Sequence, residues 1–108
     1  MKKDHELLIH IYEDVNDILK YTNGHAFEDI VKDSMMRKAV CMSLSNIGEL
    51  AKSLSSAFKA EYKQIPWKSI CGLRDVTAHK YHTLNLDVIW TVVTRDIPPL
   101  HDFLTALL

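Results

Sequence analysis

Apolar residues recur along this chain at three- and four-residue steps, and nowhere alternate long enough to make a convincing strand. Leu8, Ile11, Val15, Ile18 and Thr22 keep the helical spacing, with Leu7, Tyr12 and Leu19 widening the stripe. Residues from about 4 to 22 are therefore expected to form an amphipathic helix, which Asn23-Gly24 ends. A short helical piece is expected near Phe27–Val31. Asp33 then suits the N-cap of a second long helix with the stripe Met36, Ala39, Val40, Leu44, Ile47, Leu50, Ala51 and Leu54. Ser55 to Ile65 is polar and poorly periodic, a connection with room for one helical turn. Pro66 restarts order at a first helical position, where its missing N–H costs nothing, and Trp67, Ile70, Leu73 and Val76 follow at three-residue steps. Asn85 or Asp87 can cap a last helix containing Val88, Ile89, Trp90, Val93, Ile97, Leu100, Leu104 and Leu107. Pro98-Pro99 should bend that helix or break it for a turn, because each proline lacks a donor and crowds the preceding turn. The pattern predicts an all-α, antiparallel bundle of four to five helices.

Length and composition narrow the class. A chain of 108 residues with 47% hydrophobic positions can build one modest core, so a single domain over 1–108 is expected. Thirteen Lys and Arg against fourteen Asp and Glu argue against a broad grip on nucleic acid through phosphate neutralisation. The charge is uneven, however. Residues 1–34 carry four basic and eight acidic side chains, whereas 59–82 carry Lys59, Lys63, Lys68, Arg74 and Lys80 against Glu61 and Asp75. No apolar run approaches the ~20 residues that a membrane-spanning helix needs, and no N-terminal segment resembles a signal peptide, so a cytoplasmic location without membrane contact is the expectation. Cys41 and Cys71 lie in apolar helical patterns and read as small core residues. Met35, Met36 and Met42 read as gap fillers in a core or a dimer seam.

The chemistry is concentrated in Arg74-Asp75-Val76-Thr77-Ala78-His79-Lys80-Tyr81, which gathers an always-charged guanidinium, a titratable imidazole and a phenol. Five residues apart, Arg74 and His79 stand roughly 140° apart around a regular helix and cannot share one narrow face. Either the helix ends between them, or the working site combines residues from two copies of the chain across a two-fold axis. Asp75, His79 and His82 could also share a helical face as metal ligands, but three ligands without second-shell candidates make a poor site, and no metal or other cofactor is expected.

Arg, a polar residue, three more positions and then His-x-Tyr resembles the signature of HepT-like members of the HEPN superfamily, here Arg74, Asp75, His79 and Tyr81. The resemblance extends to Ile65-Pro66-Trp67, to Asn46-Ile47-Gly48-Glu49-Leu50-Ala51-Lys52 and to Asp96-Ile97-Pro98-Pro99-Leu100, nearly the whole chain. It implies a metal-independent endoribonuclease toxin, a homodimer with facing motifs, and a partner antitoxin of the MNT nucleotidyltransferase type. It also implies that Tyr81 is a position such an antitoxin can adenylylate. Asp75 departs from the asparagine common at that position, and its negative charge near a scissile phosphate would weaken cleavage.

Physical chemistry gives the residues matching roles. The RNA 2′-hydroxyl can attack the adjacent phosphorus, so a metal-free nuclease needs a proton-transfer group and a positive clamp. His79 suits the first role near neutral pH, and Arg74 can hold two phosphate oxygens at once. Asp75 could orient His79 from one turn away, or Arg74 from the other subunit. Lys68 and Lys80, within the basic excess, are candidate phosphate contacts on an RNA substrate. Two other readings compete: a non-catalytic helical module that docks a nucleotidyltransferase, and a helical oligomer without chemistry. For an arbitrary chain, a surface ion pair for Arg74 and a helix-capping role for His79 would be the ordinary assignment.

Overall fold

The structure is a computed structural model of the chain, and it describes residues 2–75 and 86–108. Its α-helices are α1 (Lys2–Thr22), α2 (Phe27–Lys32), α3 (Ser34–Lys52), α4 (Ser56–Glu61), α5 (Trp67–Cys71), α6 (Leu86–Thr91) and α7 (Ile97–Leu107), and residues 73–75 are also helical. A π-helical turn, Val92–Asp96, joins α6 to α7. The described residues contain no strand, and the expected all-α class holds.

The α1 stripe is buried as its spacing requires, with Leu8, Ile11, Val15 and Ile18 almost fully covered. Each such side chain contributes about 1.5–3 kcal/mol relative to exposure. Gly24 adopts φ +76°, the left-handed conformation that stops α1 and that glycine takes without a Cβ penalty. Asp33 caps α3 as anticipated, its carboxylate accepting from the Met35 and Met36 amides at 3.0 and 3.1 Å. Arg37, one turn into α3, donates to the Ile30 and Val31 carbonyls at 3.2 and 3.0 Å and satisfies the C-terminal end of α2.

Helices α1 and α3 lie antiparallel along each other, the principal pairing of the fold. Near one end of the pair Asp4, only 4% exposed, accepts from the Ser55 amide at 2.8 Å and from its hydroxyl at 2.6 Å. Ser55 in turn caps α4 by accepting from the Phe58 amide at 3.1 Å. Helix α7 packs on α1, where the Tyr12 hydroxyl pairs with Thr105 Oγ1 at 2.9 Å and the Tyr12 ring stacks on His101.

Several local expectations are corrected. Pro66 is the N-cap of α5 and not its first helical residue, and its carbonyl accepts from the Ile70 amide at 3.0 Å. Asp87 lies inside the first turn of α6 and is not its cap; Asn85 falls outside the described residues. Pro98-Pro99 do not break the last helix. They sit in the first turn of α7, and the turn before them widens so that the Ile97 amide bonds the Val92 carbonyl. That wider turn relieves the crowding a proline ring imposes on the carbonyl four residues back. Met36 and Cys41 are buried and Cys71 is half-buried, but Met35 and Met42 are exposed on the chain and fill no internal gap.

Candidate functional site

The segment leading to Arg74 is anchored by aromatic packing. Phe58 and Tyr62 of the α4 region, Trp67 at the start of α5 and Phe103 of α7 form one cluster, with ring centroids 4.9 to 6.3 Å apart in its four pairs. The indole of Trp67 also donates to the Tyr62 carbonyl at 3.0 Å, so the beginning of α5 is held by both apolar burial and a hydrogen bond. Ile70 and Leu73 continue into the core. At Gly72 the helix is interrupted by a turn, and residues 73–75 are helical again.

A close approach to α3 places Arg74. A Cβ built on Gly48 would lie 2.6 Å from the Arg74 amide nitrogen and 3.1 Å from the carbonyl oxygens of Ile70 and Cys71. Only the absence of a side chain at 48 lets the two backbones meet there. The neighbouring residue on α3, Glu49, then reaches the guanidinium: its Oε2 accepts from Arg74 Nη1 at 2.8 Å. Asp75 Oδ1 stands 3.5 Å from Arg74 Nε within the same chain. The hydrogen bond from Arg74, followed by its charge, holds the Glu49 carboxyl below its usual range. The same Glu49 contact, with Asp75 adding charge, raises the guanidinium further above its already high value. Arg74 is thus a permanent cation on an accessible surface, with its side chain 36% exposed.

Of the residues singled out in the sequence, the structure brings Arg74 and Asp75 into direct contact. Asp75 approaches the Arg74 of its own chain. Lys68 is exposed on α5. His79, Lys80 and Tyr81 lie outside the described residues, as does His82. Among the described residues no three His, Cys, Asp or Glu side chains converge as a metal site, and no helix is long and apolar enough to cross a membrane.

Leu73 lines an apolar depression of ≈ 160 Å³ together with Pro66, Ile70, Val92 and Leu100, with the Arg95–Asp96 ion pair also on its wall. The motif segment therefore turns Arg74 toward α3 and Leu73 toward the π-helical turn. Glu49 and Gly48 are the contacts of Arg74 that the motif alone does not reveal. The signal for them was present in the Gly48-Glu49 pair of the flanking block, but nothing local shows that it faces Arg74.

A family profile described as ribonuclease HepT-like matches residues 11–107. The chain is 40% identical over 98 residues to a protein of Methanocaldococcus jannaschii named as a candidate RNase, covering 90% of this chain and 81% of that one. It is 36% identical over 100 residues to another so named from Caldanaerobacter subterraneus subsp. tengcongensis, covering 93% and 89%. A protein of Thermococcus cleftensis named as a probable ribonuclease HepT is 35% identical over 101 residues, covering 93% and 92%. No solved structure matches the chain. With the profile spanning nearly the whole fold and the relatives aligned over most of both lengths, the chain belongs to the HepT-like ribonuclease family.

Proposed function

We propose that the protein is a metal-independent endoribonuclease acting as the toxin of a toxin–antitoxin pair. The observation that carries this reading is Arg74, an accessible guanidinium fixed against α3 at the head of the Arg74…His79-x-Tyr81 motif in a chain of this family. In the mechanism, His79 moves the proton of the attacking 2′-hydroxyl or of the leaving oxygen, and Arg74 neutralises charge building on the five-coordinate phosphorus. Lys68 and Lys80 contribute local positive charge toward the RNA backbone, as the near-neutral composition requires. Two protomers share the groove in which these groups meet. An MNT-type nucleotidyltransferase restrains the activity in the cytoplasm by adenylylating Tyr81, whose basic neighbours Lys80 and His82 favour an anionic nucleotide.

The test is cleavage of a defined RNA by the purified chain with a metal chelator present, beside the same strand carrying 2′-deoxyribose at the cleaved position. Cleavage of the RNA alone, leaving a cyclic phosphate, is expected, with loss of activity in both Arg74→Ala and His79→Ala. Cutting of the deoxy strand would refute the 2′-hydroxyl mechanism. Unchanged activity in His79→Ala would refute its proton-transfer role. A chain that cuts nothing yet binds a nucleotidyltransferase equally well with and without His79→Ala is the non-catalytic docking module instead.

A further inference from the structure

Glu49 and Arg74 form an ion pair on open surface, the carboxylate side chain 62% and the guanidinium side chain 36% exposed. Such a pair is screened by water and salt and adds little to stability. The surrounding construction is nonetheless specific: Gly48 gives up its side chain so that the Arg74 backbone can press against α3, and the adjacent residue supplies the carboxylate at 2.8 Å. Two consecutive residues of one helix are thus given over to the placement of one cation.

We propose that Glu49 is a positioning residue for Arg74: by holding Nη1 it fixes the plane of the guanidinium and leaves the Nε side to receive a phosphate oxygen. The proposal rests on the ribonuclease reading. An arginine side chain has many rotamers, and a carboxylate on one terminal nitrogen biases it toward one of them before substrate arrives. The contact on the other side is of a different kind. Asp75 stands 3.5 Å from Nε, at the outer limit of a hydrogen bond, so a phosphate oxygen can displace it while Glu49 keeps its grip. The division of labour also accommodates an acidic residue at position 75, where a carboxylate beside the scissile phosphate otherwise works against cleavage.

Steady-state cleavage of RNA by wild type, Glu49→Gln, Glu49→Ala and Arg74→Ala, read as kcat and KM separately, tests the assignment. Glu49→Ala is expected to lower kcat about two- to fivefold, the size an exposed ion pair can supply through orientation, with KM changing much less. Glu49→Gln retains an acceptor oxygen and should restore most of that loss. A purely structural role would lower the melting temperature of Glu49→Ala and leave the kcat of the folded protein unchanged, which would overturn the proposal. So would a rise in activity with a lower KM, the mark of a carboxylate that competes with RNA. A second measurement stands apart from catalysis: rotation of the Arg74 guanidinium, followed by NMR, should be slow in wild type and fast in Glu49→Ala. Equal rotation in the two would also refute the proposal. A wild type that cuts no RNA would refute the ribonuclease reading instead, while the NMR comparison would still decide whether Glu49 holds the guanidinium.

Discussion

At position 48 two residue-scale effects oppose each other, and their sizes decide the sign of a substitution. Alanine in a helix interior is favoured over glycine by about 1 kcal/mol. Here its Cβ would stand 2.6 Å from a backbone nitrogen that no rotamer change can move aside, and overpacking of that kind costs about 1–3 kcal/mol. Gly48→Ala is therefore expected to lower the urea midpoint and to reduce RNA cleavage by displacing Arg74; a higher midpoint would show that α3 and the motif segment part easily. Asp14 supports a second prediction. Burial, with the nearby charge of Asp17, raises its carboxyl above the ordinary value, against a lowering contact from Asn46. A raised folded pKa means that the group favours the fold below its unfolded value and opposes it once pH has passed the folded one. Asp14→Asn, which can still pair with Asn46, should raise the melting temperature at neutral pH, and the gain should vanish below about pH 3.8. The sequence shows Gly48 only as part of the Asn46–Lys52 block and shows nothing of the role of Asp14, because both are defined by partners far along the chain.

The elements that were readable are those whose signals are local. The α1 and α3 stripes, the Asp33 cap and the Gly24 stop each lie within one or two turns of the structure they determine. The region from Ser55 to Ile65 was less readable because its order comes from distant partners. Phe58 and Tyr62, four residues apart, gain their significance from Trp67 and Phe103, and Ser55 gains its from Asp4 at the start of α1. The widened turn before Pro98 was likewise hidden, since two prolines signal an interruption without saying whether the helix breaks or unwinds by one bond. The Ser55 junction can be tested as a unit. Ser55→Ala removes the α4 cap and a hydroxyl donor to a nearly buried carboxylate, with an expected cost of about 1–3 kcal/mol in urea unfolding. The Ser55 hydroxyl, more than any other contact, holds the Asp4 carboxyl below its ordinary value. Its contribution is then complete above pH 3.8 and is lost as pH falls through the lower folded value. Asp4→Asn should weaken the fold at neutral pH and flatten the acid limb of the stability curve; an acid limb of unchanged steepness would remove Asp4 from that role.

For the whole molecule, the proposed mechanism requires Arg74 and His79 to meet at one phosphate. The chain holds Arg74 from its own α3 through Gly48 and Glu49, so the placement of the guanidinium needs no second copy. On a regular helix His79 would stand roughly 140° away around the axis, which favours an imidazole supplied by a second copy. A small bundle also has little area for its own core, a deficit that a self-complementary apolar face between protomers would offset. Complementation separates the two arrangements. Arg74→Ala and His79→Ala chains, each inactive alone, can be co-expressed with different tags and the mixed species purified through both. If the guanidinium and imidazole act from opposite protomers, the mixed dimer keeps one intact pair of the two and should recover about half of the wild-type activity per dimer. If they act from the same chain, every pair in the mixed dimer lacks one member, and activity should stay at the level of the separate variants. A mixed dimer that forms and cuts no RNA would therefore place both groups within one protomer and require the helix to end between them.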